Sequence, residues 1–506
     1  MSANQRTRAF CRAALMIALA VVVATEARAQ QPARGTITLE EAITLARRNN
    51  PDFLAQKNNG AVADWSVREA YGALLPGASA STSFSYQASG TPRVGFFTGS
   101  DLGVTETPAY YISNYTLGVN YSLSGASLVA PGRAKAARAA TYAGIEAADF
   151  ALVANVTRQY LAVRRAQDGV TLAKQELERA EDNRKLADAR VKVGAATPIE
   201  LKQAEVEKGR AEVALLQSDN LQKTERLRLM QQLGLDMSAE VELTTEFAVS
   251  DVPWAQEDLI AIAMQSHPNL VAARADERAG DASVKMAKSA YLPSLSLQAG
   301  ISGYTREAGN TGSLIAQANQ GAQVAKQECE FFNAVAAGSS TGIPGFPRTC
   351  GAGVLTSAEQ QQLLSANNVF PFSYTREPFG ASLQISLPVF QGFSRERQIE
   401  EAKALSADAR HRLRSEELRL RADVSTAYLN AVTAKRSVEL EVRNKELAED
   451  QLNLARERYR VGVTSFLELQ DAATIKARAD RAYLNAIYTF HESMAALETA
   501  VGRKLK

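Results

Sequence analysis

Apolar residues recur along this chain with two different periods. At every second position, Leu117, Val119, Tyr121 and Leu123 alternate with Gly118, Asn120 and Ser122. Leu295, Leu297 and Ala299 alternate with Ser294, Ser296 and Gln298, and Ala381, Leu383, Ile385 and Leu387 with Ser382, Gln384 and Ser386. A weaker alternation through Phe84 and Tyr86 runs from Ser79 to Ala88. Period two with one apolar and one small or polar face predicts strands near 79–88, 115–124, 293–302 and 380–389. Between these stretches the chain is dominated by Ala, Leu, Glu, Arg, Lys and Gln, the strong helix formers, so long helices are expected there.

The pattern occurs twice. A shift of 268 positions lays Tyr160–Gly234 on Tyr428–Gly502 without a gap, matching Tyr160-Leu161 to Tyr428-Leu429 and Val193-Gly194 to Val461-Gly462. A shift of 217 lays Asn50-Pro51 on His267-Pro268 and Leu75-Pro76 on Leu292-Pro293. A duplication is expected, with a first structural repeat over 30–250 and a second over 251–506. In each repeat a short helix (38–49; 256–266) stops before a proline that suits the first position of the next helix. That second helix closes at Leu-Pro.

Each repeat then carries a long helical hairpin, expected over 133–234 and 394–502. Gly194 suits a helix C-terminus, and Thr197-Pro198-Ile199-Glu200 reads as a capping box with proline at its first helical position. Gly462 followed by Ser465-Phe466-Leu467-Glu468 repeats that punctuation. A helix of roughly 60 residues before the break would extend about 90 Å, and it needs neighbours along its length to bury its apolar stripe.

Composition adds a compartment. Arg6, Arg8 and Arg12 precede an apolar run from Ala13 to Ala24, and Ala27-Arg28-Ala29 supplies a small-residue cleavage site, so residues 1–29 read as a secretory signal peptide. Its removal would take four arginines and one glutamate from 57 basic and 55 acidic residues. The remainder is nearly neutral, which argues against a nucleic-acid partner held by bulk charge. Cys329 and Cys350 stay in an oxidising compartment and are expected to form a disulfide stapling an outer loop. That loop, roughly 303–379, reads as Gly/Ala/Gln/Asn-rich with weak structure. His267, His411 and His491 have no partners at metal or triad spacing, so no catalytic residue, metal site or cofactor is expected and the chain reads as a non-enzyme.

Four strands cannot close a barrel, and an open edge in lipid leaves N–H and C=O groups unpaired at several kcal/mol each. Closure therefore calls for several chains; two copies would supply eight strands and three would supply twelve. A secreted helical coiled-coil scaffold or adhesin without a pore is the alternative; it accounts for the helices and leaves the strands unexplained.

The tip motifs Val193-Gly194-Ala195-Ala196-Thr197-Pro198-Ile199-Glu200-Leu201 and Tyr459-Arg460-Val461-Gly462-Val463-Thr464-Ser465-Phe466-Leu467-Glu468-Leu469-Gln470-Asp471, with the Asn-Pro and Leu-Pro punctuation, resemble the TolC family of outer-membrane efflux proteins over nearly all of the mature chain. The resemblance implies a mixed fold, an α-helical tube through the periplasm plus a β-barrel in the outer membrane, formed by a homotrimer with a 12-stranded barrel. It implies a passive exit duct of a tripartite efflux or type I secretion system, working with a periplasmic adaptor (membrane fusion) protein and an inner-membrane pump of RND, ABC or MFS type. Glu468 and Asp471 match the two acidic positions that line the family's periplasmic entrance. Tyr459 and Glu200 match positions of the polar links between hairpins, while Thr464 stands where the family places an arginine. Gly194, Thr197, Gly462 and Ser465 mark the tips on which an adaptor would dock.

Overall fold

The computed structural model describes residues 35–505, apart from 91, 92, 95, 96, 99–107, 238–240, 246 and 340–342. The expected signal peptide, residues 1–29, lies outside the described residues. In chain order, strand β1 (Gly35–Ile37) leads to helices α1 (Leu39–Asn49) and α2 (Pro51–Gly72). Strands β2 (Gly77–Gln87), β3 (Arg93–Val94), β4 (Phe97–Thr98) and β5 (Tyr110–Leu123) follow, then the hairpin α3 (Gly125–Lys192) and α4 (Pro198–Leu233). The second repeat runs through β6 (Val241–Leu243), α5 (Gln256–Ser266), α6 (Pro268–Lys288), β7 (Ser294–Ala308), α7 (Thr311–Ala337), α8 (Ser357–Asn367), β8 (Thr375–Arg376) and β9 (Gly380–Ser386). It ends in the hairpin α9 (Ser394–Arg460) and α10 (Phe466–Val501).

Contacts divide the chain into two units. The helical unit holds residues up to Trp65, Lys135–Asp281 and Ala404 onward. Its first core packs Ile37, Ala42, Ile43 and Ala46 against Val156, Tyr160 and Val163 of α3 and Leu229, Met230 and Leu233 of α4. Helix α1 starts there because Thr38 and Glu41 close a capping box, Thr38 N–H donating to Glu41 at 2.8 Å and Glu41 N–H to Thr38 Oγ1 at 3.3 Å. The second core repeats the plan, with Leu259, Ala263 and Leu270 against Leu420, Val424, Ala431, Leu497 and Val501. A two-stranded parallel pair, β1 with β6, spans the first core.

One joint shows the duplication in three dimensions. Gly234 ends α4 at φ +65°, and a Cβ there would lie 2.3 Å from the Asn49 carbonyl oxygen. Gly502 ends α10 at φ +85°, where a Cβ would meet His267 Cα at 3.0 Å. In both repeats only a residue without a side chain lets the end of the hairpin close on the short-helix junction.

The sheet unit holds Ser66–Ala134 and Ala282–Lys403. Its long strands run in the order β2-β5-β7-β9, all antiparallel. Register carries the alternation across the sheet. Ala80 faces Leu117 and Leu117 faces Ile301, while Leu297 opposes both Tyr121 and Leu383. Directly opposed residues share a face, so these positions form one apolar surface, exposed at Leu117, Ile301, Leu383 and Ile385. The other surface carries Ser79, Gly118, Asn120, Gln298, Gly300, Ser382 and Gln384. Strands β2 and β9 leave the outer edges of this sheet unpaired among the described residues. No described helix is long and apolar enough to cross a membrane.

Three expectations need correction. Helix α3 begins at Gly125 rather than near Arg133, with Pro131 inside it. Ser124 and Ser127 cap it reciprocally, Ser124 N–H donating to Ser127 Oγ at 2.8 Å, so the helix starts ahead of the expected position. The segment 303–379 is not weakly structured. It extends β7 to Ala308 and holds α7 and α8. The Asn310 side chain caps α7, and a Thr356–Glu359 box caps α8, so its Ala- and Gln-rich composition is helical. A disulfide joins Cys329 in α7 to Cys350. Third, the Ser465–Glu468 capping box does not form.

Candidate functional site

The two hairpin tips lie in the helical unit, and each is closed by a glycine in the left-handed region, Gly194 at φ +73° and Gly462 at φ +84°. The same pair of backbone bonds recurs: Gly194 N–H to Val191 O at 3.0 Å with Ala195 N–H to Arg190 O at 2.8 Å, then Gly462 N–H to Tyr459 O at 3.1 Å with Val463 N–H to Arg458 O at 2.9 Å. This is the Schellman arrangement, which satisfies the last carbonyls of each long helix.

The restarts differ. At Thr197 the Glu200 carboxylate accepts from the Thr197 N–H at 3.2 Å and hydroxyl at 3.3 Å. At Ser465 the side chain makes no capping bond. Pro198 presets the first helical φ in the first hairpin. In the second that position is Phe466, which is buried and stacks on Tyr459 with ring centroids 5.7 Å apart. Glu468 is therefore not held by the cap. It is exposed, as is Asp471, and neither has a hydrogen bond or ion pair among the described residues. Three residues apart on α10, the two carboxylates share one helix face.

Tyr459 joins the hairpins. Its ring has no accessible surface, and its hydroxyl donates to Glu200 Oε2 at 2.9 Å. One carboxylate thus caps α4 through one oxygen and holds α9 through the other. Burial first, and then the Glu200 carboxylate, push the Tyr459 phenol up to about 12. Arg190 lies over the Tyr459 ring at 4.3 Å, and its guanidinium donates to the Tyr459 carbonyl and, at 2.9 Å, to the Ala195 carbonyl. Thr464 is half-buried, and its hydroxyl has no partner among the described residues. Arg460 pairs with Glu457 of its own helix at 2.9 Å.

Further links tie the hairpins away from the tips. Gln470 donates to Glu207 at 2.7 Å, Arg179 pairs with Asp480 at 3.1 Å, and Tyr488 bonds Asp168. Lys476, only 2% exposed, pairs with Asp480 and, at 2.9 Å, with Glu449. A buried cation of this kind persists only with such partners.

The sequence signature described as Outer membrane efflux protein matches residues 42–235 and 353–503, which cover both hairpins. The chain belongs to the outer membrane efflux protein family. Its place is the outer membrane, and its class is transport. The fold agrees with solved channels of low identity. The Campylobacter jejuni CmeC outer membrane channel is 16% identical, with a TM-score of 0.68, covering 92% of this chain and 85% of that one. The outer membrane protein VceC of Vibrio cholerae is 16% identical, with a TM-score of 0.66, covering 92% and 97%. The open-state Neisseria gonorrhoeae MtrE outer membrane channel is 19% identical, with a TM-score of 0.64, covering 92% and 89%. No curated protein matches the sequence itself at a significant level.

Arg190 is the tip residue that sequence reasoning missed. The repeat pairs it with Arg458, so a signal was present, but nothing in the alignment tells which of the two turns onto the neighbouring hairpin. Likewise the Lys476–Asp480–Arg179 group reads from sequence as ordinary surface charge.

Proposed function

We propose that the chain is one protomer of a homotrimeric exit duct, whose sheets close into a 12-stranded barrel in the outer membrane and whose hairpins line a tube below it. The observation that carries this is the sheet: four antiparallel strands with one apolar face, one polar face and two unpaired edges. Lipid tolerates such a sheet only when it is closed, and its small polar face suits a water-filled interior. Three copies pairing β2 with β9 of the next remove every free edge.

In this reading the tips form the entrance. Exposed Glu468 and Asp471, without partners among the described residues, supply rings of carboxylate that attract cations and oppose anions in a narrow bore. Tyr459, Glu200 and Arg190 hold the two hairpins of a chain together beside it, and half-buried Thr464 stands in the turn of the second hairpin. The turns at Gly194, Thr197, Gly462 and Ser465 offer the docking points for a periplasmic adaptor (membrane fusion) protein, which connects the duct to an inner-membrane pump; transport itself is passive and needs no catalytic group. Heat-resistant trimers extracted from outer membranes, conducting ions in planar bilayers, are the expected result. A monomeric protein that gives no conductance would sink the proposal.

A further inference from the structure

Between β7 and β9 the chain inserts a braced helical element that turns its apolar side outward. Helix α7 carries three charged residues, Lys326, Glu328 and Glu330, among its 27. At about 100° per residue, Asn319, Lys326, Cys329 and Asn333 share one side of it, while Val324, Phe331 and Val335 share the opposite side.

The polar side is the covered one. Cys329 is joined to Cys350. The Asn333 amide donates to the Arg348 carbonyl at 2.7 Å and accepts from the Arg348 N–H at 2.8 Å, and Asn319 accepts from the Leu355 N–H at 2.8 Å. The returning segment 348–355 therefore runs along that side. Beyond α8 the element is clamped to the sheet, where Asn367 bonds Ala308 N–H at 2.8 Å and its carbonyl at 3.0 Å. The Glu307 carboxylate accepts from the N–H groups of Val369 at 3.1 Å and Phe370 at 2.8 Å. An amphipathic helix ordinarily buries its apolar stripe and leaves its polar side to water. Here the arrangement is inverted: Val324 is 50% exposed, Phe331 64% and Val335 50%, with Phe332 beside them at 55%. Fastening the polar side holds the apolar side outward as a formed surface.

Size and position select the partner. Half to two-thirds of two valines and two phenylalanines is roughly 400 Å² of apolar surface. A stable complex between free proteins takes about 800 Å² on each partner, so this patch would not retain a protein arriving from solution. It suffices for a neighbour already held close, because tethering raises the effective concentration to about the mM range. The element leads from α8 through β8 into β9, the edge strand that the duct reading pairs with β2 of the next copy. It stands at the end of the sheet where Tyr110 opposes Ala308, away from the end where the chain enters α3 and α9. A closed barrel thus gathers three such elements around one opening. Glu328 is the only charged residue of α7 near the stripe, so copies meet there with little repulsion. A helix that lies on lipid carries Lys and Arg along its polar face, and α7 has one lysine, which lies against Gly353.

We infer that the apolar side of α7 packs against the inserted element of a neighbouring copy, so that protomers grip each other at the external opening as well as through the barrel strands. This contact rests on the homotrimeric duct reading.

The test places the photoreactive residue p-benzoylphenylalanine at Phe331 or Val335 of the full-length protein, in the outer membrane of cells that make two versions of the chain, one lengthened by a tag. Irradiation should link copies of this chain from both positions, long to short as well as like to like. Glu330, exposed but about a third of a turn from the stripe, is the control position and should give little linking. Val335→Glu combined with the photoreactive residue at 331 should abolish the link while heat-resistant trimers persist. Links to lipid or to another protein, no link at all, equal linking from 330, or a link that survives Val335→Glu would each overturn the contact. With trimers still recovered, the duct reading stands. Absence of trimers in the unmodified protein would sink the duct reading and the contact with it.

Discussion

Replacing Tyr459 by Phe removes one hydroxyl and leaves the ring that Arg190 and Phe466 pack against. The lost bond joins a fully buried phenol to a half-buried carboxylate at 2.9 Å. A hydrogen bond to a charged group contributes about 1.5–3 kcal/mol net. The lower end applies here, because Glu200 keeps the Thr197 N–H and hydroxyl and still reaches water. About 1.5 kcal/mol corresponds to roughly a tenfold rise in the population of tips whose hairpins have parted. Hydrogen exchange of the assembled protein reads this directly, since Gly194, Ala195, Gly462 and Val463 donate the bonds that close the two turns. Exchange at those amides should quicken by about tenfold in Tyr459→Phe. Glu200→Gln should act in the same direction, and the double variant should add little to either single one. Full additivity, or exchange unchanged in Tyr459→Phe, would show that the two residues do not act through one bond.

The same phenol has a pH signature. Because folding raises its pKa, the link contributes fully below the ordinary tyrosine value near ~10 and is lost as pH climbs toward about 12. Tip exchange in the parent protein should rise across that window and converge on that of Tyr459→Phe; a parent curve parallel to the variant throughout would contradict it. Asp471→Ala with Glu468→Ala should weaken block of channel current by polyvalent cations in planar bilayers, and unchanged block removes both from the entrance. Gly234→Ala should lower the thermal midpoint, since a left-handed alanine costs about 1–2 kcal/mol before the clash with Asn49 is counted. Gly209→Ala, inside α4 with no atom near the new methyl, should instead stabilise by about 0.5–1 kcal/mol. Equal melting of the two glycine variants would refute the packing argument.

Much of the local structure was legible because its causes are local. The break at Gly194 and Thr197 depends on residues within one turn of each other, and period-two alternation marks β5, β7 and β9 without knowledge of their partners. Where a local rule was applied alone it misled. The first long helix starts at Gly125 and not near Arg133 because Ser124 and Ser127 cap it there, and Ser465-x-x-Glu468 has the letters of a capping box but gives way to the burial of Phe466. Segment 303–379 was misread because Ala and Gln suit a loop or a helix, and the caps at Asn310 and Thr356 decide between them.

What the sequence determined by itself was the duplication, the hairpins and the two-faced strands, all set by spacing along the chain. Only the tertiary structure decided which strands are neighbours, that Glu200 serves a cap and a cross-link at once, and that Arg190 rather than Arg458 closes over Tyr459. Those outcomes join residues far apart in sequence, and distance along the chain carries no record of direction in space. A side chain's partner is chosen by the packing of whole helices, which is settled only when every buried face has found a neighbour.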